Sequence, residues 1–194
     1  MFDHGGTCGA SQPSLIWQNQ QTRLAADPLG SSDRHCWLMR RDLQGVHPIN
    51  ASASQQVRQG FAPENAMQIH QLLILGYQNG GGSVTDYPTW LRALHTDPEF
   101  DPSLCFSAWD ESGLVGVMQC WTSAFIKDLV VHPRARRQGT ALALLNQGFH
   151  TFGLRGEGWV DLKVMENNFD ARRLYEKAGM RYVQRSAMIE SDLA

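Results

Sequence analysis

The sequence predicts an α/β (α+β) fold in one main domain, and three observations carry that expectation. Apolar spacing alternates between strand-like and helix-like periods, in the order β, α, α, β, β, β, α, β, α, β. Cap and turn residues fall between those segments, where short connections need them. Finally, 194 residues with 42% hydrophobic content suffice to bury one substantial core.

Residues 1–54 are rich in Gln, Ser, Gly and Asp, with short apolar islands only at "SLIW" and "CWLMRR". Such a composition cannot offset its own ordering entropy, so it reads as an N-terminal extension, docked on the main domain or partly disordered. Residues 55–194 form the main domain. "QQVRQGF" has strand character, and "APENAMQIHQLLILGY" sets Met67, Ile69, Leu72, Leu73 and Leu75 on a helical stripe, with Pro63 in its first turn and "NGGG" after it. In "SVTDYPTWLRALHTDPEF", Thr85 or Asp86 caps a second helix that buries Trp90, Leu91 and Leu94.

"SLCFSAWDESGLVGVMQCW" is a hairpin about Asp110 to Gly113, because apolar β-formers flank residues that tolerate turn dihedrals. "AFIKDLVV" is the next strand and ends at Pro133, which cannot donate to a ladder. After an arginine-rich loop, "TALALLNQGFHTFGL" is a helix, "GWVDLKV" a buried type of strand, "NFDARRLYEKAG" a helix capped by Asn168, and "RYVQRSAMIE" a final strand or strand pair.

A formal net charge of −2 excludes a chain built to coat nucleic acid, so any basic function is local. The four cysteines have no CxxC spacing and the seven histidines are scattered, a pattern of reduced structural thiols with no metal site. The stretch "MFDHGGTCGASQPSL" lacks a basic leader with an apolar core, and no apolar run reaches the ~18 residues of a membrane span. A cytoplasmic protein with neither nucleic acid nor membrane as partner is expected.

The loop "HPRARRQGTA" is the most informative segment. A helix N-terminus leaves backbone N–H groups unpaired and carries partial positive charge, which suits phosphate. Gly139 admits a ligand close to the backbone, Ala141 does not obstruct it, and Arg134, Arg136 and Arg137 surround the cradle with charge. A solvated basic loop ahead of a helix is the plainer alternative. Neither a Gly-Lys-Ser/Thr nor a GxGxxG pattern is present, so the phosphate donor is expected to be neither ATP nor NAD.

In these residues the chain resembles the GNAT superfamily of acyl-CoA-dependent N-acyltransferases. "DLVVHPRARRQGTALALL" is similar to that family's strand, loop and helix with Q/R-x-x-G-x-G/A, here Arg136, Gly139 and Ala141. About 30 residues on, "LKVMENNFDARRLYEKAGM" is similar to its second signature, and the resemblance covers roughly residues 55–190. It implies a mixed, mostly antiparallel central sheet flanked by helices, with acetyl-CoA as co-substrate. By the same resemblance, the backbone of Leu129, Val130 and Val131 holds the pantetheine arm. The N–H groups of Arg137, Gln138, Gly139, Thr140 and Ala141 hold the pyrophosphate beside Arg136, and Asn168 also contacts the cofactor.

Acyl transfer to an amine requires a neutral nucleophile, a polarised thioester and a proton for the departing thiolate. Tyr175 matches the family's general acid, the plainer alternative being a core aromatic beside Leu174 and Ala178. Some relatives carry a glutamate where this chain has Lys163. Asp128 is the remaining candidate base, with Glu166 behind it, and a base acting through water, or no base at all, is the alternative. Alternation sets Phe125, Lys127, Leu129 and Val131 on one strand face and Asp128 and Val130 on the other, which equally suits a structural acid paired with an arginine.

The acceptor is a primary amine of a small molecule or protein, expected to enter beside "GYQNGGGSVTDYPTW", where Tyr77, Tyr87 and Trp90 can shape a pocket. Trp109, Trp121 and Trp159 read as core residues. The competing functional class is a non-catalytic acyl-CoA-binding regulatory module, against which Tyr175 speaks. Pairing into a homodimer through the sheet or "RYVQRSAMIESDLA" stays open.

Overall fold

The computed structural model describes residues 35–44, 56–78 and 83–187. Most of the 1–54 extension, the "NGGG" segment and the tail after Ala187 lie outside the described residues.

Seven strands form one sheet: β1 (His35–Asp42), β2 (Gln56–Gln59), β3 (Phe100–Asp110), β4 (Gly113–Trp121), β5 (Phe125–Val131), β6 (Trp159–Met165) and β7 (Arg181–Ala187). Their order across the sheet is β2-β3-β4-β5-β6-β1-β7. Every pairing is antiparallel except β5 with β6, which is parallel. That exception follows from the connection: a crossover helix returns the chain to the same end of the sheet, whereas the hairpins reverse it.

Among the described residues, four α-helices cover the sheet: α1 (Ala66–Tyr77), α2 (Tyr87–Thr96), α3 (Thr140–Leu154) and α4 (Phe169–Lys177). A 3-10 turn at Pro63–Asn65 leads into α1, and the Asp86 carboxylate caps α2 by accepting from the Thr89 N–H at 3.1 Å. Helices α1 and α2 bury Ile69, Leu72, Leu73, Trp90 and Leu94 against Val117 and Val130 of the sheet. On the opposite face, Leu144, Leu145, Phe149 and Phe152 of α3 and Tyr175 of α4 pack with Phe106, Met118, Val160 and Leu162. The alternation of β4 explains the division: Met118 and Cys120 enter the α3-side core, while Val117, next to Met118 along the strand, enters the α1-side core.

Strand β1 is the element the sequence reading left inside the extension. It lies between β6 and β7, with Met39 fully buried. Its two-residue alternation is broken where the pairing with β7 slips between Leu38 and Met39, so Cys36 and Met39 are the buried positions, three apart. The adjacent arginines are docking groups. Arg40 makes a two-pronged ion pair with Asp161 at 2.7 Å and lies over the Trp159 ring, 4.4 Å from its centroid. Arg41 donates to the Ala178 carbonyl at 3.0 Å. Trp159 is thereby corrected from a core residue to an exposed platform for Arg40.

Candidate active site

Strand β5 supplies the centre of the site. Gln119 of β4 pairs with Asp128 and Cys120 pairs with Ile126, so Lys127 is an extra residue on β5. This bulge changes the expected alternation: Ile126 enters the α3-side core, while Val130 two turns of the pleat further on enters the α1-side core. Phe125 and Lys127 therefore do not share one uninterrupted face with Leu129 and Val131. The parallel ladder to β6 comprises Phe125 with Asp161 and Ile126 with Leu162, although β5 continues to Val131 and β6 to Met165. Beyond Ile126 the two strands part, and the β6-facing backbone of Leu129–Val131 has no ladder partner there.

Asp128 is 8% exposed and faces the α1 side. Helix α1 reaches it because Gly76 lies directly on Val130, where a Cβ would come within 2.5 Å of Val130 Cγ1. The next residue, Tyr77, donates its hydroxyl to Asp128 Oδ1 at 2.5 Å. Burial first, then the charge of Asp128 and that hydrogen bond, push the Tyr77 phenol far above its ordinary range. From the other side, Tyr175 of α4 is 9% exposed, and burial followed by the Asp128 charge pushes its phenol up to about 12. One carboxylate thus stands within electrostatic reach of two protonated tyrosines.

Glu166, the second candidate base, is engaged elsewhere. Arg185 Nε and Nη2 donate to its two oxygens at 2.9 and 2.7 Å, and that hydrogen bonding holds the carboxyl below its ordinary value. Lys163 is exposed.

The loop after β5 is shaped for an anion. His132 Nδ1 accepts from the Arg134 N–H, and a 3-10 turn spans Pro133–Ala135. Arg137 and Gly139 both adopt left-handed backbone, φ 64° and 86°, turning successive N–H groups inward at the start of α3. A Cβ on Gly139 would meet nothing within 4 Å, so the space above the backbone is open and glycine is required by its dihedral alone. The Thr140 hydroxyl is buried and donates to the Ala135 carbonyl at 2.9 Å, which ties the loop to the helix. Only the Thr140 backbone is left to serve a ligand.

The basic side chains have separate tasks. Arg134, expected around the cradle, instead forms an ion pair with Asp110 at 3.0 Å and fastens the loop to the β3–β4 turn. Arg136 donates through Nε to the Val131 carbonyl at 3.2 Å. Arg137 and Gln138 are exposed at the cradle, and Gln138 donates to the Arg134 carbonyl at 2.9 Å. Asn168 caps α4, its Oδ1 accepting from the Ala171 N–H at 3.2 Å.

The fold therefore brings Asp128, Tyr175, the free edge of Leu129–Val131 and the Arg137–Ala141 cradle onto one strand-loop-helix unit and the helix packed beside it. A profile of the acetyltransferase (GNAT) family matches residues 67–180. The chain belongs to the GNAT acetyltransferase family. Among solved structures, the GCN5-related N-acetyltransferase from Sphaerobacter thermophilus superposes with a TM-score of 0.68 at 25% identity, over 80% of this chain and 50% of that one. This chain thus spans about half the length of that GNAT protein. Ard1 from Thermoplasma volcanium superposes at 0.54 and 17% identity over 71% of this chain and 99% of its own. The ribosomal-protein-S18-alanine N-acetyltransferase from Escherichia coli does so at 0.54 and 16% identity, over 67% and 79%. At such identities the last two report the GNAT fold alone. No curated protein matches the chain.

Two residues at this GNAT centre were not assigned from sequence. Tyr77 was read as a pocket aromatic, and its bond to Asp128 depends on the close seating of α1 that Gly76 allows. Gln119, directly opposite Asp128 on β4, carries no signal in the sequence. Trp90, which the sequence offered both as a buried residue of the second helix and as a pocket aromatic, is 8% exposed and belongs to the core, where it packs on His70. His70 Nε2 donates to the Thr85 carbonyl at 2.8 Å, fixing the entry to α2. Among the described residues no group of His, Cys, Asp and Glu is arranged to hold a metal ion, and no helix is long and apolar enough to cross a membrane.

Proposed function

We propose that this chain is an N-acyltransferase that moves an acetyl group from acetyl-CoA to a primary amine of a small molecule or protein, by direct attack in a ternary complex. The observation that carries the reading is the parting of β5 from β6 between an anion cradle and a carboxylate flanked by two tyrosines.

The residues divide the work. The β6-facing backbone groups of Leu129–Val131, which have no strand partner there and of which the Val131 carbonyl accepts from Arg136, match the amides of an extended pantetheine arm. The N–H groups of Arg137–Ala141, at the positive end of α3, match a pyrophosphate, with the exposed Arg137 and Gln138 beside it. An amine with a pKa near 10 arrives mostly protonated, and Asp128 is the buried acceptor for that proton. The neutral nitrogen then attacks the thioester carbonyl, a C–N bond forms, and the C–S bond breaks. Tyr175, protonated throughout the physiological range, donates to the departing sulfur. The proton shed by nitrogen balances the one gained by the thiol.

Calorimetry with CoA, combined with free-thiol release and product mass over a panel of primary amines, tests the reading. Micromolar CoA binding together with acetylated product supports it. Binding without thiol release from any amine points to an acyl-CoA-binding regulatory module.

A further inference from the structure

We infer that Gln119 is a specificity-determining residue that selects amines bearing a hydrogen-bond-accepting oxygen next to the reacting nitrogen, the α-amino carbonyl pattern. The inference rests on the acyltransferase reading above and deepens it.

Cys105, Gln119 and Asp128 form a row straight across β3, β4 and β5, each the register partner of the next. Alternation places the row on the face covered by α1, because Phe106 and Met118, their neighbours along the strands, enter the opposite core. The row is buried: the three residues are 4%, 3% and 8% exposed. Asp128 has a partner in Tyr77, whereas Gln119 Nε2 has none. A buried amide donor without a partner costs free energy, and natural folds leave few of them unexplained. Here the explanation follows from what stands opposite: the acid assigned to take the proton from the incoming amine.

Register partners in antiparallel strands hold their Cβ atoms about 5 Å apart. A carboxylate and a primary carboxamide at that spacing recognise a cation and an oxygen acceptor separated by about three bonds. An α-amino carbonyl compound has that arrangement, the ammonium facing Asp128 and the carbonyl oxygen accepting from Gln119 Nε2. A plain alkylamine fills the first position and leaves the donor unmet. A site built to hydrogen-bond a polar substrate group discriminates strongly against analogues lacking it.

The test compares glycinamide, a glycine-initiated tetrapeptide amide and ethylamine as acceptors for wild type and Gln119→Leu. Wild type is expected to favour one or both carbonyl-bearing amines over ethylamine by about tenfold or more in kcat/KM, and the ratio to fall towards one in the variant. Preference for glycinamide over the peptide identifies a free metabolite, and the reverse identifies a polypeptide N-terminus. A wild-type ratio near one, or a ratio unchanged by the substitution, overturns the inference.

Two measurements need no turnover and separate this inference from the acyltransferase reading. Equilibrium binding of glycinamide to the CoA complex is expected to weaken about tenfold in Gln119→Leu while ethylamine binding does not. The Tm of the free variant is expected to rise, because leucine removes an unmet donor and adds apolar burial. A fall in Tm together with unchanged binding assigns Gln119 to the structure and sinks the proposal, even if acyl transfer is established.

Discussion

The Tyr77 hydroxyl and the Asp128 carboxylate are joined by a 2.5 Å hydrogen bond between helix α1 and the bulged strand β5. This bond couples the helix that borders the acceptor side to the acid at the centre of the site. Because the Tyr77 phenol is pushed far above its ordinary range, it remains a hydrogen-bond donor to Asp128 throughout the physiological pH range.

Removing that donor should slow the reaction without loosening the coenzyme. Tyr77→Phe is predicted to lower kcat by about 10- to 100-fold, the rate equivalent of the ~1.5–3 kcal/mol carried by a hydrogen bond to a charged group. The dissociation constant for CoA should stay within about twofold. Stopped-assay kinetics with calorimetry would show the split, and an equal loss in both quantities would refute a positioning role.

Asp128→Asn keeps the shape of the side chain and removes its basicity. Turnover is expected to fall by about 10²- to 10⁴-fold, the usual contribution of a positioned base. Part of the activity should return at alkaline pH, where the amine arrives already neutral. A variant with wild-type turnover at pH 7 would leave solvent as the proton acceptor.

Tyr175 titrates at about 12 in the fold, against about 10 for an unperturbed phenol. Its raised value means the folded state holds the proton more tightly. The resulting stability is complete below pH 10 and is lost as pH rises through 12. Wild type should therefore lose stability over that interval more steeply than Tyr175→Phe, as read by denaturant titration at successive pH values. In kinetics, kcat/KM should show no descending limb assignable to Tyr175 below about pH 11, and Tyr175→Phe should lower kcat by about 10²-fold or more.

Gly139→Val places a β-branched residue at φ 86°. The conformation is expected to cost about 1–3 kcal/mol, and its Cβ branch intrudes on the open space above the cradle. CoA affinity should fall by more than tenfold, while kcat at saturating acetyl-CoA should stay near wild type. Retained affinity, measured by calorimetry, would remove the cradle from the coenzyme site.

Arg40→Met tests the strand that the sequence hid. Loss of the two-pronged bond to Asp161 and of the stack on Trp159 is predicted to destabilise the fold by about 1–3 kcal/mol. CoA affinity should be unchanged, because β1 lies beyond β6 from the cradle. Urea denaturation and calorimetry together check both halves.

The strand-loop-helix unit that carries the anion cradle was legible because it is local: strand, proline, basic loop, glycine and helix follow one another within about twenty residues, each with its own physical signature. The caps at Asp86 and Asn168 were legible for the same reason. What escaped was set by long-range register. The Lys127 bulge, the seating of Gly76 on Val130 and the meeting of Tyr77, Gln119 and Asp128 depend on which strand lies beside which, and side-chain type does not encode that. Strand β1 escaped because a bulge broke its alternation and paired arginines masked it. Arg134 was misplaced because its carboxylate partner, Asp110, is 24 residues away in sequence.

The position of β1 also governs the order in which the sheet can be completed. Synthesised before the rest of the domain, it must wait for Trp159–Met165 and then Arg181–Ala187, its two neighbours, to emerge more than a hundred residues later. A nascent chain stalled before Arg181 holds one of its edges bare, and β7 has nothing to join until β1 is in place. Contacts of such sequence separation are slow to form, so closure of this half of the sheet is expected to be the last event in folding, well after the β5-loop-α3 unit has assembled.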